Sequence, residues 1–293
     1  MLKVNSGALS VKDGKFYFEE KLFTGVGIEI SACTVNRAVK YEDGDVDGAY
    51  INEYLPVIKH GSAVVFDCLE PEDEMEEEPL CYKEVRFSGL AYDFDGDFCV
   101  GEFLFENGWQ DSGITYYRSG VLDSMELVGD DFSQKYYWYE QGQIKRFDLF
   151  ERNSFEVNLN FNEDGLISTL SINGKYFDRV RELREELKFC LYDNKGFPKE
   201  LTGADYLYLS GSSVDGEVFD NLLENDGLNN TTKLRICRTP LTIESLEQVI
   251  PITSITELYI ESEIIPLKDM QRLKSQKPDC FVEFNREEVE VAA

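Results

Sequence analysis

The sequence predicts a mixed β and α/β repeat protein. An antiparallel β-meander of hairpins should occupy residues 1–178, and a capping helix with a short solenoid of parallel strands should occupy 179–293. Three observations carry this expectation. Glycines end aromatic-rich strands at intervals of about 23 residues, the span of one hairpin and its return turn. A triplet of two apolar residues around an outward one recurs at roughly 25-residue intervals in the last third. Between the two series lies an amphipathic helical pattern.

The hairpin series runs through Tyr92-Asp-Phe-Asp-Gly96, Tyr116-Tyr-Arg-Ser-Gly120, Trp138-Tyr-Glu-Gln-Gly142 and Phe161-Asn-Glu-Asp-Gly165, with looser copies around Gly14 and Gly44. In the last copy Phe155, Val157, Leu159 and Phe161 alternate with Glu156, Asn158 and Asn160, which sets one row of side chains on each face of a strand. Asn173-Gly174 then offers the dipeptide best suited to a tight hairpin turn. Val180, Leu183, Leu187 and Leu191 recur at helical steps, Asp178 can cap the first turn, and Gly196-Phe-Pro198 stops the run. That helix would cover sheet edges that otherwise expose unpaired backbone.

The second series is Leu207-Tyr-Leu209, Leu234-Arg-Ile236, Leu258-Tyr-Ile260 and Val282-Glu-Phe284, separated by helix-like stretches over 218–223, 243–249 and 267–273. Strand, helix, strand at this spacing requires a crossover, so the strands should stack in parallel. The outer residues of each triplet then point to the core and the middle one outward.

Composition narrows the function. The 293 residues are 42% hydrophobic and 13% aromatic, enough for folded cores, and 29 Lys plus Arg against 57 Asp plus Glu give a net charge of −28. Such a surface repels phosphate backbones and anionic lipids, so neither nucleic acid nor membrane is an expected partner, whereas basic proteins are attracted. A single histidine, His60, excludes sites that need two imidazoles and reads as a loop residue. Cys33, Cys68, Cys81, Cys99, Cys190, Cys237 and Cys280 are scattered, with no metal or disulfide spacing, and read as reduced thiols. With no secretory signal and no membrane-spanning run, the expected compartment is the cytoplasm.

Asp43, Asp45, Asp47 and Gly48 open like a calcium loop, but the twelfth position is Tyr54 instead of a bidentate Glu. These residues, like Asp93, Asp95 and Asp97, read as turn residues, and no metal or cofactor is expected. Tyr136-Tyr-Trp-Tyr139 reads as core packing on alternate positions. No nucleophile elbow, phosphate loop or metal spacing occurs, so no catalytic residue is assigned and the chain is not expected to be an enzyme.

The stretch Leu22-Phe-Thr-Gly-Val-Gly-Ile-Glu29, then Tyr41-Glu-Asp-Gly-Asp-Val-Asp-Gly-Ala-Tyr50 and the Tyr-rich units up to Gly165, resembles the MORN-variant repeats of bacterial antitoxin and immunity-like proteins. The resemblance implies a cytosolic protein that binds and neutralises a toxin, with no catalytic residues of its own. The C-terminal part is similar to leucine-rich repeats, which implies a strand face that binds protein. The usual Asn or Cys after each strand is not evident.

Two partner-binding surfaces follow. One is the outward ladder Tyr206, Tyr208, Arg235, Glu257, Tyr259 and Glu283, with Lys233 and Phe281 on the same face; aromatics beside Arg on rigid strands suit the centre of an interface. The other is the acidic run from Asp67 to Pro79, expected as a loop, whose Glu70, Glu72, Asp73, Glu74, Glu76, Glu77 and Glu78 would steer a basic partner. The expected function is that of an immunity protein or antitoxin occluding the active site of a cognate basic toxin, for instance a nuclease. A general scaffold or adaptor is the alternative within the same class, and a carboxylate-based hydrolase the alternative outside it.

Overall fold

The computed structural model describes residues 1–52, 54–55, 62–73, 79–128, 132–151, 154–173, 202–224 and 227–290. It is a mostly-β solenoid with mixed parallel and antiparallel strands and few helices. The chain forms two compact units, Met1–Gln141 and Gly142–Ala293. The expected helix over 180–191 and the 178/179 boundary lie outside the described residues, as does His60.

The first unit contains the same arrangement twice. The first copy runs β1 (Lys3–Asn5), a 3-10 turn (Ser6–Ala8), β2 (Ser10–Lys12), β3 (Lys15–Phe18), β4 (Lys21–Leu22), β5 (Gly25–Ser31), β6 (Thr34–Glu42) and β7 (Asp45–Ala49). The second runs β8 (Ser62–Val65), a 3-10 turn (Phe66–Cys68), β9 (Glu70–Pro71), β10 (Leu80–Tyr82), β11 (Val85–Arg86), β12 (Gly89–Asp95), β13 (Phe98–Glu106) and β14 (Trp109–Tyr116). Registers repeat at one constant offset: Gly25 faces Tyr41 as Gly89 faces Phe105, and the same bulge follows Glu29 and Asp93. Local devices repeat too. The Glu19–Glu20 and Lys83–Glu84 turns both take positive φ, at 48° and 66° and at 53° and 67°, the signature of a tight two-residue hairpin turn. Gly44 and Gly108 sit at φ 79° and 86°, and a Cβ on either would come within 2.9 Å of the carbonyl oxygen of Phe16 or Leu80. Each copy has its own apolar cluster, Val4, Phe23 and Tyr41 in one and Val64, Phe87 and Phe105 in the other. A shared cluster of Val26, Ile28, Val35, Tyr92 and Cys99 joins them.

The expected antiparallel meander is corrected here. β1 pairs in parallel with β5, and β8 with β12. The reason is the insert between them: a 3-10 turn and a three-stranded mini-sheet carry the chain back to the starting end, as a parallel pairing requires. The meander does hold from β12 through β13 and β14 to β15 (Leu122–Val128) and β16 (Phe132–Trp138). Tyr136 and Trp138 are buried there and stack at 6.0 Å, with Tyr137 and Tyr139 half-buried.

The second unit opens antiparallel, with β17 (Ile144–Glu151), β18 (Ser154–Phe161) and β19 (Ile167–Ile172), and then turns parallel. β19 pairs with β20 (Gly203–Ser210), followed by α1 (Gly216–Glu224), β21 (Lys233–Cys237), α2 (Ile243–Glu247), β22 (Glu257–Glu261), α3 (Leu267–Gln276), β23 (Phe281–Phe284) and β24 (Glu287–Glu288). Leu207, Leu234, Leu258 and Val282 are neighbours in successive parallel strands, all fully buried. Phe219, Leu222, Leu246, Met270 and Leu273 bury the inner faces of the three helices. Gln248 to Asp220 and Arg272 to Glu247 bridge one helix to the next. Among the described residues, no helix is long and apolar enough to cross a membrane.

Candidate functional site

Parallel pairing without slippage places the outward residues of β20–β23 in straight rows. One row is Tyr206, Lys233, Glu257 and Phe281; the next is Tyr208, Arg235, Tyr259 and Glu283. Every predicted ladder residue therefore lies on one sheet face. A third row, Ser210, Cys237 and Glu261, continues it, and β19 adds Thr169 and Ser171 at its edge.

The contacts on this face differ from simple charge pairing. Glu257 accepts from Lys233 at 2.9 Å and from the Tyr259 hydroxyl at 2.7 Å. Those bonds keep the Glu257 carboxyl below the usual carboxylate range, and the Tyr259 hydroxyl, bonded to Glu257, is pushed up to about 12. Arg235 lies over the Tyr208 ring at 5.8 Å, and Tyr259 packs on Phe281 at 5.7 Å. Cys237 donates to Glu261 at 2.9 Å, and its thiol is raised by burial and then by that carboxylate. Tyr206 is 43% exposed. The result is a rigid strand surface with stacked aromatics, one exposed guanidinium and an anionic margin.

The acidic run is corrected in its first half. Glu70 and Pro71 form β9, the edge of the three-stranded sheet with β10 and β11, where a proline lacking its donor is tolerated. Glu72 accepts from Arg86 at 2.6 Å, and its amide donates to the Pro79 carbonyl at 2.9 Å. Asp73 is described, whereas Glu74, Glu76, Glu77 and Glu78 lie outside the described residues.

Two constellations escaped sequence reasoning. Lys3 on β1, only 4% exposed, forms an ion pair with Glu102 on β13, which is fully buried. Lys3 also donates to the Tyr50 hydroxyl at 2.6 Å and lies over the Tyr116 ring at 3.8 Å, and Asn52 donates to Glu102 at 2.7 Å and to Tyr116 at 3.1 Å. Burial holds the Lys3 ammonium below its ordinary range, against the opposing pull of Glu102. Closed to solvent, this cluster braces the two copies. The second constellation is a disulfide between Cys33 and Cys68, which corrects the reading of all cysteines as free thiols. The fold supplies a proximity that a sequence separation of 35 conceals: Val65 donates to the Cys33 carbonyl at 2.9 Å. The usable signal for both was the matched spacing of Phe23-Thr-Gly25 and Glu42-Asp-Gly44 with Phe87-Ser-Gly89 and Glu106-Asn-Gly108.

Asp43 and Gly44 form the β6–β7 turn, and Asp45 pairs with Lys15 at 2.5 Å. Among the described residues, no group of three or more His, Cys, Asp or Glu is gathered as for a metal ion.

No family model and no curated protein matches the chain. Among solved structures it is similar to a glycosylation-associated protein (Gap123) complex from Streptococcus agalactiae, at 8% identity and a TM-score of 0.20, covering 71% of this chain and 53% of that one. A GtfA/B complex bound to UDP and GlcNAc matches at 12% identity and a TM-score of 0.19, covering 72% and 49%. The accessory secretory protein 1, 2 and 3 structure from Streptococcus pneumoniae matches at 10% and 0.17, covering 73% and 56%. The chain spans about half the length of these structures. Likeness at this level carries no argument about function.

Proposed function

We propose that this chain acts by gripping another protein and performs no chemistry of its own, as a cytoplasmic immunity protein or antitoxin that occludes the active site of a cognate basic toxin. The observation that carries the reading is the ladder of β20–β23. Tyr206, Tyr208, Arg235, Tyr259 and Phe281 share one face of a strand array whose inner side is packed solid. Aromatic and Arg side chains held this way lose little freedom on binding, and they are the groups that dominate interface energies. Glu257, Glu261 and Glu283 add an anionic margin that suits a basic partner, as does the net charge of −28. The resemblance of the first part to MORN-variant repeats, and of the second to leucine-rich repeats, supports the same assignment.

The test is capture and inhibition. The purified chain is mixed with the product of the adjacent gene, and binding and toxin activity are measured together. A stable complex that abolishes the activity supports the reading. An adaptor would instead bind several unrelated proteins weakly, and hydrolytic activity lost on neutralising one pair of acids would reverse it.

A further inference from the structure

The two copies in the first unit meet reciprocally. β1 of the first copy touches β13 of the second, with Val4 opposite Phe98, and β8 of the second touches β6 of the first, with Val64 opposite Thr34. The backbone bonds match as well: Asn5 donates to the Asp97 carbonyl at 2.8 Å, and Val65 donates to the Cys33 carbonyl at 2.9 Å. Asn5 and Val65 are equivalent, each being the last residue of the strand before the 3-10 turn, and Asp97 and Cys33 are equivalent in the hairpin that follows. The seam is thus a pair of pseudo-symmetric contacts inside one chain.

Their braces are not the same. The β1–β13 contact carries the buried Lys3–Glu102 pair. At the matching positions of the β8–β6 contact stand Ala63 and Ala38, which carry no charge. That contact has the Cys33–Cys68 disulfide instead, and the matching positions of the first contact are Asp97 and Ala8. Each contact has one brace, and they are of different chemistry. Cys33 and Cys68 are only half-buried, whereas Cys81, Cys99, Cys237 and Cys280, the other cysteines among the described residues, are buried. The disulfide is thus open to a reductant, while the four buried thiols are shielded from an alkylating reagent.

We propose that Cys33 and Cys68 form a redox latch on one side of the seam: oxidised, it clamps β8 to β6; reduced, it releases that contact alone. A dithiol reductant opens it in two exchanges. Its thiolate attacks one sulfur to give a mixed disulfide, and its second thiol displaces the protein sulfur. Two electrons pass to the protein, Cys33 and Cys68 take up two protons as thiols, and the reductant closes to its own disulfide. The 3-10 turn that holds Cys68 also holds Asp67, the first acid of the acidic run, and Glu70 follows two residues later, so the latch sets how firmly the start of that run is tethered.

The pseudo-symmetry supplies an internal control. The full chain is prepared oxidised and treated with dithiothreitol, and alkylation is mapped to individual peptides while amide exchange is followed at Val65 and Asn5. Cys33 and Cys68 should be alkylated only after reduction. Exchange at Val65 should then quicken by about tenfold or more, with Asn5 changing by less than about twofold, because only one contact opens. The double variant Cys33→Ser with Cys68→Ser should match the reduced protein and ignore dithiothreitol. Alkylation of both cysteines without reductant overturns the latch. So does exchange that rises equally at both amides, or at neither.

Discussion

The two contacts along the seam of the first unit have one backbone and two chemistries. In the first, Lys3 and Glu102 bury opposite charges beside Tyr50, Asn52 and Tyr116; in the second, Ala63 and Ala38 fill the same positions with methyl groups. Strand register is common to both, so it is set by the backbone bonds and the turn geometry. The ion pair is one permitted filling among others. That agrees with the general finding that buried pairs add little over well-packed apolar groups, yet become a liability when only one member is removed.

The sharpest way to break the comparison is to leave one charge alone. Lys3→Ala should cost about 5 kcal/mol in denaturant unfolding, because Glu102 would remain buried without its cation. Adding Glu102→Ala copies the second contact into the first, and the double variant should recover at least about 2 kcal/mol of that loss. A double variant less stable than either single one would mean that the contacts are not equivalent.

A smaller effect should appear on raising the pH. Tyr50, Tyr92 and Tyr116 are held well above the ordinary tyrosine range, first by burial and then by Glu102, and the Cys99 thiol is pushed up to about 12 by the same causes. An acid whose pKa is raised by folding stabilises fully below its unfolded value and loses that contribution as the pH climbs past it. Lys3, lowered by burial, runs the opposite way, and its contribution grows up to its unfolded value. Four raised acids outweigh one lowered base. The melting temperature should therefore fall between about pH 9 and pH 12. Tyr116→Phe should flatten that fall, even though it starts lower for want of the Asn52 bond. A slope unchanged by the substitution would remove Tyr116 from the cause.

The parallel ladder was legible because Leu207, Leu234, Leu258 and Val282 open triplets whose alternation and spacing leave one solution: inner residues buried, middle residues out. The turn glycines were legible as well; Gly96, Gly120, Gly142 and Gly165 all take positive φ, at 63°, 80°, 86° and 77°. The parallel pairing of β1 with β5 was not. A three-residue strand has no periodicity, and its first residue is a lysine that composition alone places at the surface. Its burial is explained by Tyr50, Glu102 and Tyr116, all far along the chain. The Glu19–Glu20 and Lys83–Glu84 turns lack the glycine that normally announces them, and Pro71 argued against a strand that exists because it is an edge. The candidate face was readable in its members but not in all of its bonds. The Lys233–Glu257 pair follows from the parallel register, which sets the two directly opposite, whereas the bond from the Tyr259 hydroxyl to Glu257 depends on a side-chain conformation that alternation does not fix.

The most direct test of the protein-binding face is the dissociation rate of a captured partner. With Tyr208→Ala and Tyr259→Ala together, dissociation should quicken by roughly thirtyfold or more while association changes little, as expected when central aromatic anchors are lost. Neutralising Glu70, Glu72 and Asp73 should do the reverse, slowing association and flattening its salt dependence. An unchanged dissociation rate in the tyrosine double variant, with the protein folded, would contradict the assignment of the β20–β23 ladder as the surface that holds the partner.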